Sequence, residues 1–263
     1  MDLLQSIILG LIQGTTEWLP ISSTGHLRIA EHFFGLTVPL LFDVTLHVGT
    51  LLVTLIYFRG AIKNVLSALW HRDFRSEDGK LIVPNITGTI PTALIAVLVG
   101  NELDMYLSTL LFLGLGFVAG SVVLFFSKYC KERKNAISIP EAFLIGTMQG
   151  FAIIPSISRS GLTIAVALLL GIKREVSFKF SFLLSIPAVI GALGLTLYQE
   201  HGAFSLAGIT ILEIAGSLVV TVAISFLALK FLSKTLAAKK FYLFSIYVFI
   251  IGAALVVLGL LGF

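Results

Sequence analysis

Residues 140–175 read "PEAFLIGTMQGFAIIPSISRSGLTIAVALLLGIKRE". Two apolar runs meet at Pro155 and a polar break, Ser156-Ile157-Ser158-Arg159-Ser160-Gly161. Lys128, Lys131, Arg133 and Lys134 precede the stretch, and Lys173, Arg174 and Lys179 follow it. Lysine and arginine beside membrane segments stay on the cytoplasmic side. A segment that is basic at both ends therefore enters from the cytoplasm and returns to it.

The surrounding sequence supplies the membrane. The 263 residues are 57% hydrophobic and only 12% charged, with a mean hydropathy of +1.02. No ordinary soluble domain has these values. The apolar stretches run about 17 to 27 residues, which suits helices crossing roughly 30 Å of hydrocarbon and not the ten-residue alternating strands of a barrel. The expected fold is an all-α polytopic membrane protein with spans at about 42–58, 81–99, 106–126, 178–198, 206–232 and 242–262. Lys and Arg crowd the 59–80, 127–140 and 230–240 loops, which are placed in the cytoplasm. The loops holding Glu102 with Asp104, and Glu200 with His201, carry neither residue and fall outside with the C-terminus.

Span 42–58 then runs inward, so the segment of about 1–30 must end outside. Shifting the chain by 136 positions aligns Gln13-Gly14 with Gln149-Gly150, Gly25 with Gly161, Gly35 with Gly171, Phe42 with Phe178 and Gly116 with Gly252. The whole chain reads as one membrane domain built from two copies, about 1–126 and 138–262, each with a re-entrant helical hairpin. Their opposite starting sides give an inverted repeat, an arrangement in which broken helices build a site near the midplane.

Other signals carry little. Met1-Asp2-Leu3 begins without the basic start of a signal peptide, so the N-terminus is expected to be mature sequence. Cys130 has no partner cysteine and no zinc spacing around it. The net charge of +4 lies beside membrane segments, where topology and anionic lipids explain it better than nucleic acid.

Inside the membrane the polar residues concentrate in two places. In "EWLPISSTGHL", residues 17–27, Glu17 shares a helix face with Gln13, Pro20 stops the helix, and Ser22-Ser23-Thr24-Gly25 reads as a capped restart. Free N–H groups at such a restart make an anion site. His26 follows on the first turn, able to exchange protons near neutral pH. The second break repeats the plan with Pro155, Ser158, Ser160 and Thr163, and adds Arg159, whose guanidinium suits phosphate oxygens. Serine and threonine in membrane helices often only bond back to a carbonyl, and Ser22 and Thr163 are open to that reading. Glu17 and Arg159 are costly in lipid and read as functional; the plainer alternative is that they neutralise each other across the repeat interface. His32, His47, His71 and His201 read as interfacial or packing residues, and Arg28 as a headgroup anchor.

The pair "EWLPISSTGHL" and "PSISRSGLT" resembles the signatures of undecaprenyl-diphosphate phosphatases, and the resemblance extends over essentially the whole chain. It implies a Mg²⁺- or Ca²⁺-dependent hydrolase in the cell membrane that removes one phosphate from a polyprenyl diphosphate carrier of cell-envelope synthesis. The site is expected to open to the extracytoplasmic face, with lipids as surroundings and a homodimer left open. The family's first motif position is Glu or Gln, so Gln13 is a tolerated variant with one metal ligand fewer; Ser156 stands where the second motif has glycine. On this reading Arg159 and the two helix starts, with Ser22, Ser158, Ser160 and Thr163, hold the diphosphate, while Glu17 with Gln13 positions the cation. Ser23 is the candidate nucleophile with His26 as its activator or as the acid. The rival assignment makes His26 the nucleophile through a phosphohistidine. A polyprenyl-phosphate transporter is the alternative function and a non-catalytic lipid-binding homologue a third.

Overall fold

Apolar helices separated by charged turns can satisfy their backbone in lipid only internally, and the chain folds accordingly. A computed structural model describes residues 1–99, 109–199 and 208–262; the loops with Glu102, Asp104, Glu200 and His201 lie outside these described residues. Among them are eleven α-helices and no strand. They are α1 (Leu3–Thr16), α2 (Ser23–Phe34), α3 (Leu40–Tyr57), α4 (Arg59–Trp70), α5 (Ile82–Val99), α6 (Leu110–Phe126), α7 (Ile139–Phe151), α8 (Arg159–Leu169), α9 (Arg174–Gln199), α10 (Ile211–Ala237) and α11 (Phe244–Leu260). Five helices, α5, α6, α9, α10 and α11 with their flanking turns, are long and apolar enough to cross a membrane. A sixth span is available from α3 with α4, which bend by 73° at Phe58. The protein is an all-α polytopic membrane protein. One detail departs from expectation: the basic 59–80 stretch is not simply a loop, because its first twelve residues form α4.

The helices of 140–171 form the expected hairpin. Its two ends meet, since the N–H groups of Arg133 and Lys134 donate to the Gly171 carbonyl and that of Lys173 donates to the Lys134 carbonyl. The hairpin thus returns to the side it left. The first hairpin closes likewise, with Met1, Leu36 and Val38 gathered around the Leu9, Leu27, Phe42 and Leu46 cluster.

Small residues let each hairpin lie against a long helix. On α1, a Cβ at Gly10 would stand 2.5 Å from the Ser217 carbonyl of α10, and Thr221 donates to the Gly10 carbonyl at 3.0 Å. On α7, a Cβ at Gly146 would fall onto the Gly88 main chain of α5, and Thr92 donates to the Gly146 carbonyl at 2.8 Å. Helices α1 and α7 are each held by a span from the other half of the chain. Below the first break, Trp18, Phe58, Phe178 and Phe182 make a buried aromatic cluster, with Trp18 and Phe182 centroids 5.3 Å apart.

Candidate active site

Each hairpin tip is a helix end followed by a helix start. Helix α1 stops at Thr16, but Glu17 keeps α-helical dihedrals as its C-cap, so Gln13 stays below it and donates its amide to Glu17 Oε2 at 3.2 Å. The chain turns through Trp18–Ile21 and restarts at Ser22, whose hydroxyl caps the Gly25 N–H at 3.3 Å. In the second hairpin Ser158 caps Gly161 at 3.1 Å. The tips are joined through main chain: Ser160 donates to the Trp18 carbonyl at 3.1 Å and Ser158 to the Leu19 carbonyl at 3.4 Å. Gly25 lies against the Ser156 backbone and Gly161 against Pro20, with no room for a Cβ at Gly25.

Ser22 and Ser156 both have positive φ, 67° and 73°. The left-handed region costs a non-glycine residue roughly 1–2 kcal/mol. Ser156 thus keeps the turn that glycine would favour and bears the strain. Ser156→Gly is expected to raise the thermal midpoint in detergent by the equivalent of about 1 kcal/mol, once glycine's greater unfolded entropy is subtracted. An unchanged or lower midpoint would contradict the strain.

The joined tips wall an open cleft lined by Glu17, Ser22, Ser23, Thr24, His47, Thr92, Gln149, Ser158 and Arg159 among others. Glu17 is its centre. Its Oε1 accepts Arg159 Nη2 at 2.8 Å, and its Oε2 accepts the Ser23 hydroxyl at 2.6 Å. A buried carboxylate is tolerable only with such partners. Arg159 also lies over the Trp18 ring, 5.7 Å from its centroid, and its Nη1 is buried without a hydrogen-bond partner. That unpaired donor sits beside two helix starts, the setting in which an oxyanion is best bound.

Glu17, Ser22, Ser23, Ser158 and Arg159 line the cleft; other expected site residues do not. Ser160 is spent on the main-chain joint, and Thr163 bonds the Arg159 carbonyl at 2.9 Å and the Ser181 hydroxyl at 2.5 Å, so both hold the start of α8 in place. Gln13 lies behind Glu17. His26 is the clearest departure. Its Nδ1 is 2.7 Å from the Ser22 carbonyl and must carry the proton, because a carbonyl only accepts; its Nε2 meets the Tyr247 hydroxyl at 2.8 Å. The ring is stacked on Tyr247 and edged by Phe117. Both nitrogens are committed away from Ser23, so the geometry gives no support to His26 as activator or nucleophile.

The chain matches the sequence profile of the bacitracin resistance protein BacA family over residues 6–254. It belongs to that family. Similar family relatives named undecaprenyl-diphosphatase include one from Carboxydothermus hydrogenoformans, 40% identical over 100% of this chain and 99% of the relative. Another, from Desulfosudis oleivorans, is 37% identical over 99% of this chain and 100% of the relative. A third, from Methanosphaera stadtmanae, is 33% identical over 98% and 99%.

Within this family member the sequence reading missed His47 and Gln149. His47 read as an interfacial or packing residue, yet its Nε2 lies 3.8 Å from Glu17 Oε2. Gln149 had a usable signal, its alignment with Gln13; it donates to Thr92 Oγ1 and the Leu184 carbonyl, both at 3.3 Å.

The donor set can be weighed against a divalent cation. Among the described residues no group of three or more His, Cys, Asp or Glu is placed to hold one. Mg²⁺ commonly needs only one or two carboxylates when substrate phosphates complete its shell. Glu17 meets that requirement, and Gln13 Oε1 is buried beside it without a partner. The residues fit a cation held jointly with a phosphate, not a protein-only cage.

Proposed function

We propose that this protein hydrolyses undecaprenyl diphosphate to undecaprenyl phosphate and phosphate, with Ser23 as nucleophile. The observation that carries the reading is the Ser23–Glu17–Arg159 chain on the cleft wall, a hydroxyl already donating to a carboxylate that a guanidinium orients. Nucleophile and base within hydrogen-bond reach, with the base held by a third group, is the general pattern of activated nucleophiles. Arg159 Nη1 and the first turns of α2 and α8 bind the diphosphate. As the Ser23 oxygen bonds to the terminal phosphorus, its proton passes to Glu17 and the bond to the prenyl phosphate breaks. Water then cleaves the phosphoserine, its hydroxyl and proton leaving with the phosphate while Glu17 returns its proton to the Ser23 oxygen. Glu17, assisted by Gln13, would hold Mg²⁺ or Ca²⁺, which when bound offsets charge on the phosphate oxygens. Phosphate release by the purified protein in detergent, with no gradient present, tests the reading; a well-folded protein that binds the lipid and releases none would favour a carrier.

The same reading places the site in the cell membrane, open to the extracytoplasmic side. The cleft residues Thr92 and Ala96 of α5, and Ala188, Val189 and Ala192 of α9, support it, because each lies in the half of its helix distant from the basic loops. The reciprocal packing of α1 on α10 and α7 on α5 supports an inverted repeat. In a background with Cys130 replaced, cysteines at 76 and 135 are expected to label from the cytoplasm, and cysteines at 103 and 202, outside the described residues, from the exterior. The opposite pattern would overturn this topology.

A further inference from the structure

We infer that His47 is a ligand of the divalent cation in this protein, which gives the site a mixed nitrogen and oxygen donor set favouring Mn²⁺ over Ca²⁺. The inference rests on the cleft being the metal-assisted phosphatase site proposed above and adds a residue which that reading does not use. His47 lies on α3, and its Nδ1 is 2.9 Å from the Asp43 carbonyl four residues back. A carbonyl only accepts, so Nδ1 carries a hydrogen and Nε2 is the ring nitrogen left to meet a ligand. A backbone carbonyl fixing the tautomer in this way is the usual support of a metal-binding histidine.

That nitrogen stands 3.8 Å from Glu17 Oε2 on the wall of the cleft. A carboxylate oxygen and an imidazole nitrogen face each other there, and a positive charge, a proton on Nε2 or a cation, belongs between them. Donors about 2.1 Å from one ion can be up to roughly 4.2 Å apart, so a single cation bridges the pair. Glu17 is arranged for it. Arg159 occupies Oε1, on the other edge of the carboxylate; Oε2 keeps the Ser23 hydroxyl at 2.6 Å, and the longest of the Glu17 hydrogen bonds, from Gln13 at 3.2 Å, is the one a cation at Oε2 replaces. Gln13 is fully buried and its Oε1 is unpartnered, a second sign of a missing positive group. Imidazole suits Mn²⁺ and later transition ions better than Ca²⁺, which prefers oxygen alone. The competing occupant is a second proton on His47, which would make an ion pair with Glu17 and leave no metal contact.

Electron spin echo spectroscopy separates them. The protein in detergent is loaded with Mn²⁺ and methylenediphosphonate, a nitrogen-free analogue that does not hydrolyse. The echo is expected to carry ¹⁴N modulation from imidazole, retained in His26→Gln and lost in His47→Gln, with Mn²⁺ affinity at least about tenfold weaker in the latter and Ca²⁺ affinity changed far less. Wild-type protein made with ¹⁵N-histidine should lose the ¹⁴N pattern, which assigns the nitrogen without relying on a variant's fold. An echo without nitrogen modulation in the wild type, or one that survives His47→Gln, overturns the assignment. Phosphate release accompanied by a nitrogen-free echo removes His47 from the metal and leaves the hydrolase standing; a nitrogen-modulated echo with no phosphate release does the reverse.

Discussion

Ser23→Ala lowers phosphate release by about 10³-fold or more, on the order of 4 kcal/mol in the barrier, while the variant folds and binds substrate. The hydroxyl lost is the one held 2.6 Å from Glu17 Oε2, and water entering the cleft is a weaker, less oriented substitute. His26→Ala is expected to cost far less, about tenfold through loosening of the α2 start, because the ring faces Tyr247 and the Ser22 carbonyl instead of the cleft. Rates of the two variants measured side by side check the order; a larger loss in His26→Ala would reinstate the histidine as nucleophile. Quenching ³²P-labelled substrate during turnover adds a chemical readout, since phosphoserine survives acid and phosphohistidine does not.

Arg159→Lys retains membrane insertion and loses about 10²-fold in kcat/KM, on the order of 3 kcal/mol. An ammonium can still neutralise Glu17. It cannot also reproduce the second edge of the guanidinium, whose Nη1 has no partner in the protein. Arg159→Ala has a different outcome, because it strands a buried carboxylate at a cost of about 3–5 kcal/mol. It should show as a lower yield and a lower thermal midpoint as well as lost activity. Wild-type turnover in Arg159→Lys would remove the guanidinium from the phosphate.

The spans and both hairpins were legible because their signals are one-dimensional: runs of apolar residues, basic loops and prolines at the breaks. Glu17, Ser23 and Arg159 were legible as a site for a related reason, since a charge inside lipid requires a partner and only the two breaks could supply one. The bend at Phe58 was not, because Arg59 and Lys63 look the same in a loop as on the surface of α4. His47 and His26 exchanged places for a deeper reason. Asp43, His47, Thr50 and Thr54, spaced four, three and four apart, mark one face of α3, but what that face meets depends on the packing of α3 against α10, which no spacing within α3 announces. His26 sat next to the serines in sequence but one helical turn carried its ring around to Tyr247, a residue 221 positions away.

The seating of α1 on α10 also orders events on the ribosome. Gly10 and the threonine that bonds its carbonyl are separated by 211 residues, so at roughly 5–20 residues per second the amino-terminal hairpin waits about 10–40 s for its mate to be synthesised. For the first part of that interval, until the chain has grown the 142 residues from Glu17 to Arg159, the carboxylate has no guanidinium beside it, in a solvent where an unpaired carboxylate is expensive. The newborn hairpin is therefore a natural client of the insertion machinery, held at the lipid boundary until the distant span arrives and the enzyme closes around its own beginning.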